Sequence, residues 1–152
     1  ADSEQAYLLV YQDAPRLHEL EPGVHVIGNA DAGEAAVPKV KRVLERAIGA
    51  VSDADGEPRD RLLEALARVC REHGSGSNPL DDTCVHVGDT YGTRSSILLE
   101  LADSQDSHVE SRLLYADGPP CEAQYEDFSS LLSELRQTPG YGAAEILTRT
   151  AS

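Results

Sequence analysis

Apolar residues occur in short continuous or alternating runs towards both ends of the chain and at helical spacing in its middle. Tyr7-Leu8-Leu9-Val10-Tyr11 is an apolar, aromatic run that stops at Gln12-Asp13-Ala14-Pro15, which reads as a strand and a turn. Arg16-Leu17-His18-Glu19-Leu20 alternates, and Glu21-Pro22-Gly23 then supplies a tight turn into Val24-His25-Val26-Ile27, which ends at Gly28-Asn29. Three antiparallel strands in succession are expected.

From Pro38 the period changes. Val40, Val43, Leu44, Ala47, Ile48 and Val51 recur every three or four residues, and Pro38 sits near the first helical position, where its missing N–H costs nothing. Ser52 to Pro58 reads as a loop, after which Leu62, Leu63, Leu66, Val69 and Cys70 mark a second helix ending at His73-Gly74. Ser75-Gly76-Ser77-Asn78-Pro79 has linker chemistry. Cys84 to Val87, Ser96 to Leu101 and Val109 to Tyr115 read as strands, the last two joined as a hairpin around Asp103-Ser104-Gln105-Asp106. Phe128, Leu131, Leu132 and Leu135 define a short helix that Gln137-Thr138-Pro139-Gly140 ends, and the tail 139–152 is expected to pack loosely.

The order of strands, two helices, strands and helix implies an α+β arrangement in a single domain, 1–152, without βαβ alternation. Neither sheet segment looks complete. The first strand opens the chain with nothing before it to cover a face or an edge.

Charge narrows the function. The 27 carboxylates outnumber the 13 Lys and Arg, for a formal net charge of -14, which argues against a nucleic-acid partner. Lys39 and Lys41 are the two lysines, and the carboxylates are spread over the whole length. Such a surface repels itself in dilute buffer and stays hydrated when salt shortens the Debye length, to ~3 Å at 1 M, so the chain reads as halophilic. No apolar run approaches the ~20 residues that span a bilayer, and Ala1 to Gln5 has no signal-peptide character. Cys70, Cys84 and Cys121 are odd in number and widely spaced, which suits reduced thiols in a cytoplasm.

Two sets of residues offer chemistry. Cys70 and His73 share a helix face at i, i+3, and Cys84 and His86 alternate on one side of a strand, so four soft ligands could meet around zinc. The spacing fits no strong zinc pattern, and Cys70 lies on the apolar side of its helix, where a core role is expected. The sequence therefore assigns no metal and no resident cofactor. The second set is Tyr91-Gly92-Thr93-Arg94-Ser95, a glycine turn that presents a cation at the mouth of the Ile97-Leu98-Leu99 strand.

Taken together, Pro22-Gly23, the strand ending in Gly28-Asn29, the Pro38-Lys39-Val40 helix start and the Tyr91-Gly92-Thr93-Arg94-Ser95 turn resemble the C-terminal half of the NRDE family, that of transport and Golgi organization protein 2. The resemblance covers roughly Tyr7 to Tyr115, and the Gly-Thr-Arg-Ser run is its most specific part. It implies a four-layer αββα fold of the N-terminal-nucleophile hydrolase type, in which a cysteine at a chain start attacks an amide carbonyl. There the free α-amine acts as base and nearby donors hold the oxyanion. Asn29 and Arg94 would be this chain's catalytic residues: the Asn29 amide faces the oxyanion, and the Arg94 guanidinium anchors a carboxylate or orients the nucleophile. Tyr91, Gly92, Thr93 and Ser95 would shape the substrate side.

The family's Asn-Arg-Asp-Glu stretch and its near-N-terminal cysteine are absent, Val37 replaces an aromatic before the Pro-Lys pair, and Ala1 cannot act as a nucleophile. The expected partner is therefore the N-terminal half of the same protein or a second chain. The resemblance also implies, in place of an amide substrate, haem or an acyl lipid as cargo. A non-catalytic structural subunit is the third expectation. Independently of function, dilution from molar salt is expected to abolish the far-UV circular dichroism, and a spectrum unchanged in low salt would count against the halophilic reading.

Overall fold

The computed structural model describes residues 5–11, 13–28, 38–74, 76, 78–102 and 110–137. The chain is α+β. Strands β1 (Ala6–Tyr11) and β2 (Pro15–Leu20) form an antiparallel hairpin in which Leu9 lies opposite Leu17. Helices α1 (Pro38–Asp53) and α2 (Arg59–Arg71) follow, then a turn of 3-10 helix at Pro79–Asp81 and the short antiparallel pair β3 (His86–Val87) and β4 (Tyr91–Gly92). A three-stranded antiparallel sheet in the order β5 (Ser96–Glu100), β6 (Arg112–Ala116), β7 (Glu126–Asp127) precedes helix α3 (Ser129–Gln137).

The core is organised around α2. Its Ala65 and Val69 pack with Ala50 of α1, joined by Val43 and Leu66. Its Leu63 and Ala67 pack with Leu98 of β5, joined by Cys70, Leu114 and Tyr125. Small residues on α2 let α1 and the sheet approach from different sides, so the helix is a middle layer. Helix α3 is fixed to β6: Phe128 N–H donates to Leu113 O at 2.8 Å, and Leu113 N–H donates to Ser129 Oγ at 3.1 Å. Asp127 Oδ1 accepts from Ser129 N at 2.8 Å, and the Ser129 hydroxyl, followed by this N–H cap, holds the carboxyl below the usual range.

The opposite face of the sheet has no such cover among the described residues. Along β5, Leu98 is buried while Ile97 is 60% and Leu99 53% exposed, the alternation that period two imposes on a sheet covered on one side. The hairpin behaves likewise, with Tyr7, Leu9, Tyr11 and Leu17 exposed.

Several expectations need adjusting. Val24 to Gly28 forms no strand: a strand needs a hydrogen-bonded neighbour, and this segment pairs with none of the described strands, while His25 Nε2 lies 2.7 Å from Glu21 O. Helix α2 ends at Arg71, before His73-Gly74, because Glu72 is extended and its carbonyl accepts from Cys84 N at 3.1 Å. Part of the expected linker is the 3-10 turn, capped by Asn78 Oδ1 on Leu80 N at 3.2 Å. Strands β4 and β7, two residues each, carry too little pattern to be read in advance. β5 and β6 pair as expected; their connecting turn and the 139–152 tail lie outside the described residues.

Leu98→Ala should cost about 2–5 kcal/mol by urea denaturation, because it opens a cavity between α2 and the sheet. Leu99→Ala, on the bare face of the same strand, should stay within about 0.5 kcal/mol in the isolated chain.

Candidate functional site

The glycine turn is strapped to the preceding strand. β4 sets Gly92 opposite His86 and Tyr91 opposite Val87. Thr93 N–H then donates to Val85 O at 2.9 Å, and Thr93 Oγ1 accepts from Val85 N at 2.9 Å. A Cβ on Gly92 would sit 2.5 Å from Val85 O, so this close backbone approach requires glycine. Gly88, at φ 55°, turns the chain between the two strands. Gly92 and Thr93 thus hold backbone, and what they position is the next residue. Arg94 is exposed and forms no ion pair among the described residues; Ser95 and Tyr91 are also exposed. Asn29 lies outside the described residues.

The same strand region carries a second constellation. One ligand-type atom from each of His73, Cys84, His86 and Cys121 lies within 4.8 Å of all the others. Cys84 Sγ is 3.4 Å from Cys121 Sγ and 3.6 Å from His86 Nε2, and His86 Nε2 is 3.1 Å from Cys121 Sγ. The His73 and His86 rings stand 5.3 Å apart. Three segments converge here: the extended exit of α2, the strand at β3, and the loop between β6 and β7.

Each segment is held locally. His73 Nδ1 lies 3.5 Å from Asp82 Oδ2, and Asp82 Oδ1 accepts from Gly74 N at 2.5 Å. The Cys121 loop is a turn in which Glu122 N and Ala123 N both donate to Pro119 O, and Pro120 within it is fully buried. Arg71 Nε donates to Pro120 O at 2.9 Å while its guanidinium lies 5.3 Å from the centre of the Tyr125 ring. Tyr125 donates in turn to Ser96 Oγ at 2.6 Å, tying the loop to the start of β5. Burial pushes the Tyr125 phenol up to about 12, with the neighbouring Ser96 hydroxyl acting in the opposite direction. Burial, followed by the Cys84 thiol, pushes Cys121 up to about 11, so without a cation the Cys121 thiol stays protonated and is a poor nucleophile.

Of the zinc set considered from sequence, His73, Cys84 and His86 come together and Cys70 does not. Cys70 packs on the sheet-facing side of α2, as its apolar neighbours imply, and Cys121 completes the group. Cys121 follows two prolines in a loop 35 residues from His86, and no local spacing connects it to the others. A small cavity of about 80 Å³, lined by Glu110, Ser111, Ser129, Leu132 and Ser133, falls well below the ~300–1,000 Å³ of small-molecule sites. No helix among the described residues is long and apolar enough to cross a membrane. Protein-family models, curated proteins and solved structures gave no match to the chain.

Thr93→Val should cost about 1 kcal/mol by leaving Val85 N without its acceptor, with Thr93→Ser near the parent. Gly92→Ala should cost about 1–3 kcal/mol by forcing the strands apart. Urea midpoints at constant m-value check both.

Proposed function

We propose that this chain supplies one wall of an N-terminal-nucleophile-hydrolase-like protein of the NRDE kind. In this reading α1, α2 and the β5–β6–β7 sheet are an α layer and a β layer of an αββα sandwich, and a companion N-terminal half brings the second sheet and the cysteine nucleophile. The observation that carries it is the one-sided sheet: α2 covers Leu98, whereas Ile97 and Leu99 face solvent. An apolar sheet face of that kind is what a sheet-on-sheet layer buries. Arg94, held at the entrance to β5 by the Thr93–Val85 pair, is then placed to anchor a carboxylate or orient the nucleophile, with Asn29 as the oxyanion donor. The three free cysteines suit a reducing compartment, and the cytoplasm is the proposed location.

A second reading rests on Arg94 itself. An exposed guanidinium without an ion pair among the described residues, in the same stretch of chain as exposed Tyr91, Ile97 and Leu99, suits an amphipathic carboxylate such as haem or a long-chain acyl group carried without hydrolysis.

The test uses the complete protein, expressed from its full reading frame, with a panel of N-acyl p-nitroanilides. Amide release should depend on a processed N-terminal cysteine, fall about 10²–10³-fold in Asn29→Ala and fall at least about tenfold in Arg94→Ala. Release indifferent to both substitutions, or a reading frame without that cysteine, overturns the hydrolase. Saturable binding of hemin or acyl-CoA that Arg94→Ala weakens, without amide release, establishes the carrier. Neither activity leaves a structural subunit.

A further inference from the structure

We propose that His73, Cys84, His86 and Cys121 form a structural zinc site that ties the exit of α2, strand β3 and the β6–β7 loop together. Tetrahedral zinc, with bonds of about 2.3 Å to sulfur and about 2.0–2.1 Å to nitrogen, places its ligand atoms roughly 3.3–3.8 Å apart. The three closest separations, 3.1, 3.4 and 3.6 Å, already lie near that spacing, and the fourth ligand is within 4.8 Å of the rest. Drawing the fourth ligand in from within 4.8 Å, a side-chain movement of up to about an ångström, completes the shell.

The donor set selects the ion. Two thiolates and two imidazoles form the S2N2 shell that suits zinc, and two thiolate charges balance Zn²⁺. Thiols are weak hydrogen-bonding groups, so the fully buried Cys84 and its neighbour Cys121 gain little from each other or from the two imidazoles beside them. A cation supplies the missing attraction and allows both thiols to ionise. Asp82 has the position of an outer carboxylate: with its Oδ2 against His73 Nδ1 and its Oδ1 fixed by Gly74 N, it leaves His73 Nε2 for the metal. Four protein ligands leave no open coordination position, which makes the site structural.

Position adds a consequence. β3 carries His86 and is hydrogen-bonded to β4, so the ion would immobilise the strand to which the Thr93–Arg94 turn is strapped. The site lies within this chain and does not depend on the hydrolase reading.

The closest alternative for the same sulfurs is a Cys84–Cys121 disulfide. Their separation of 3.4 Å is well beyond the ~2.05 Å of an S–S bond, and both thiols are free.

The experiment strips the chain with a chelator in molar salt and a phosphine reductant, then titrates it with Zn²⁺ alone and with Co²⁺ alone. Elemental analysis should give one zinc per chain. Co²⁺ should produce the intense visible bands of a tetrahedral site together with thiolate-to-cobalt charge transfer, both erased by zinc. Cys121→Ser and His86→Ala should weaken binding at least about tenfold, Asp82→Asn more modestly, and Cys70→Ser not at all. Because buried Cys84 is sensitive to any substitution, the exposed-side ligands carry the comparison. The proposal fails if cobalt gives only the weak spectrum of a water-like octahedral site, or if Cys121→Ser binds as the parent does. It also fails if Cys70→Ser loses as much as Cys121→Ser, or if two thiols disappear into a disulfide in chain that takes up no metal. None of these readouts involves amide release or cargo binding, so failure here is distinct from failure of the hydrolase or carrier.

Discussion

Leu63 and Ala67 of α2 turn towards the sheet while Ala65 and Val69 turn towards α1, and this two-sided burial is the constraint on which the described structure depends. A surface helix needs one apolar stripe; a middle helix needs two, and alanines at 65 and 67 satisfy both by allowing close approach. What leaves α2 at its C-terminal end is consequently well anchored. Arg71 reaches Pro120 and Tyr125, Glu72 O holds Cys84 N, and His73 joins the Cys/His cluster, so the helix position fixes the β6–β7 loop and the segment entering β3 at once.

The sheet shows the opposite condition. Leu98 reports a finished interior on one side, and Ile97 and Leu99 report an apolar face that no described residue covers on the other. The net charge of -14 adds to this, since like charges spread over the chain oppose compaction unless salt screens them. A chain of this kind is held by few large side chains: among the buried residues of the core, alanine recurs and leucine appears only at Leu63 and Leu98. With so little apolar volume, each further tie between segments carries more weight than it would in a larger core.

Helical periodicity made α1 and α2 legible, because Val43, Leu66 and Val69 obey a spacing that only a helix can bury on one side. The β5–β6 pairing was legible for the same reason at period two. Val24 to Ile27 misled because alternating composition describes what a strand could bury and says nothing about whether an edge is free to receive it. In the site, Gly92 was read as a turn where a side chain would clash, and the partner in that clash is Val85 O, which approaches to a distance that excludes a Cβ. Thr93, expected on the substrate side, also has a local role that its type alone does not specify: its hydroxyl oxygen accepts from Val85 N. Cys121 was illegible as a site residue: what brings it to Cys84 is the packing of a buried Pro120 under Arg71, a tertiary fact with no local signature.

The two constellations share β3 and differ in completeness. The Cys/His cluster draws all four of its side chains from described segments of this chain, with an acidic neighbour already oriented on His73. The Arg94 turn has a rigid backbone and an exposed, unpaired charge among the described residues, next in sequence to a strand whose outer face is bare. Rigid support beneath an unsatisfied group is the arrangement expected of a binding element, since fixing the backbone beforehand removes an ordering cost that a ligand would otherwise meet. The Cys/His cluster gathers side chains from three segments onto β3, whereas the Arg94 turn, hydrogen-bonded to Val85 just before β3, ends in an exposed charge, so one short strand region supports both.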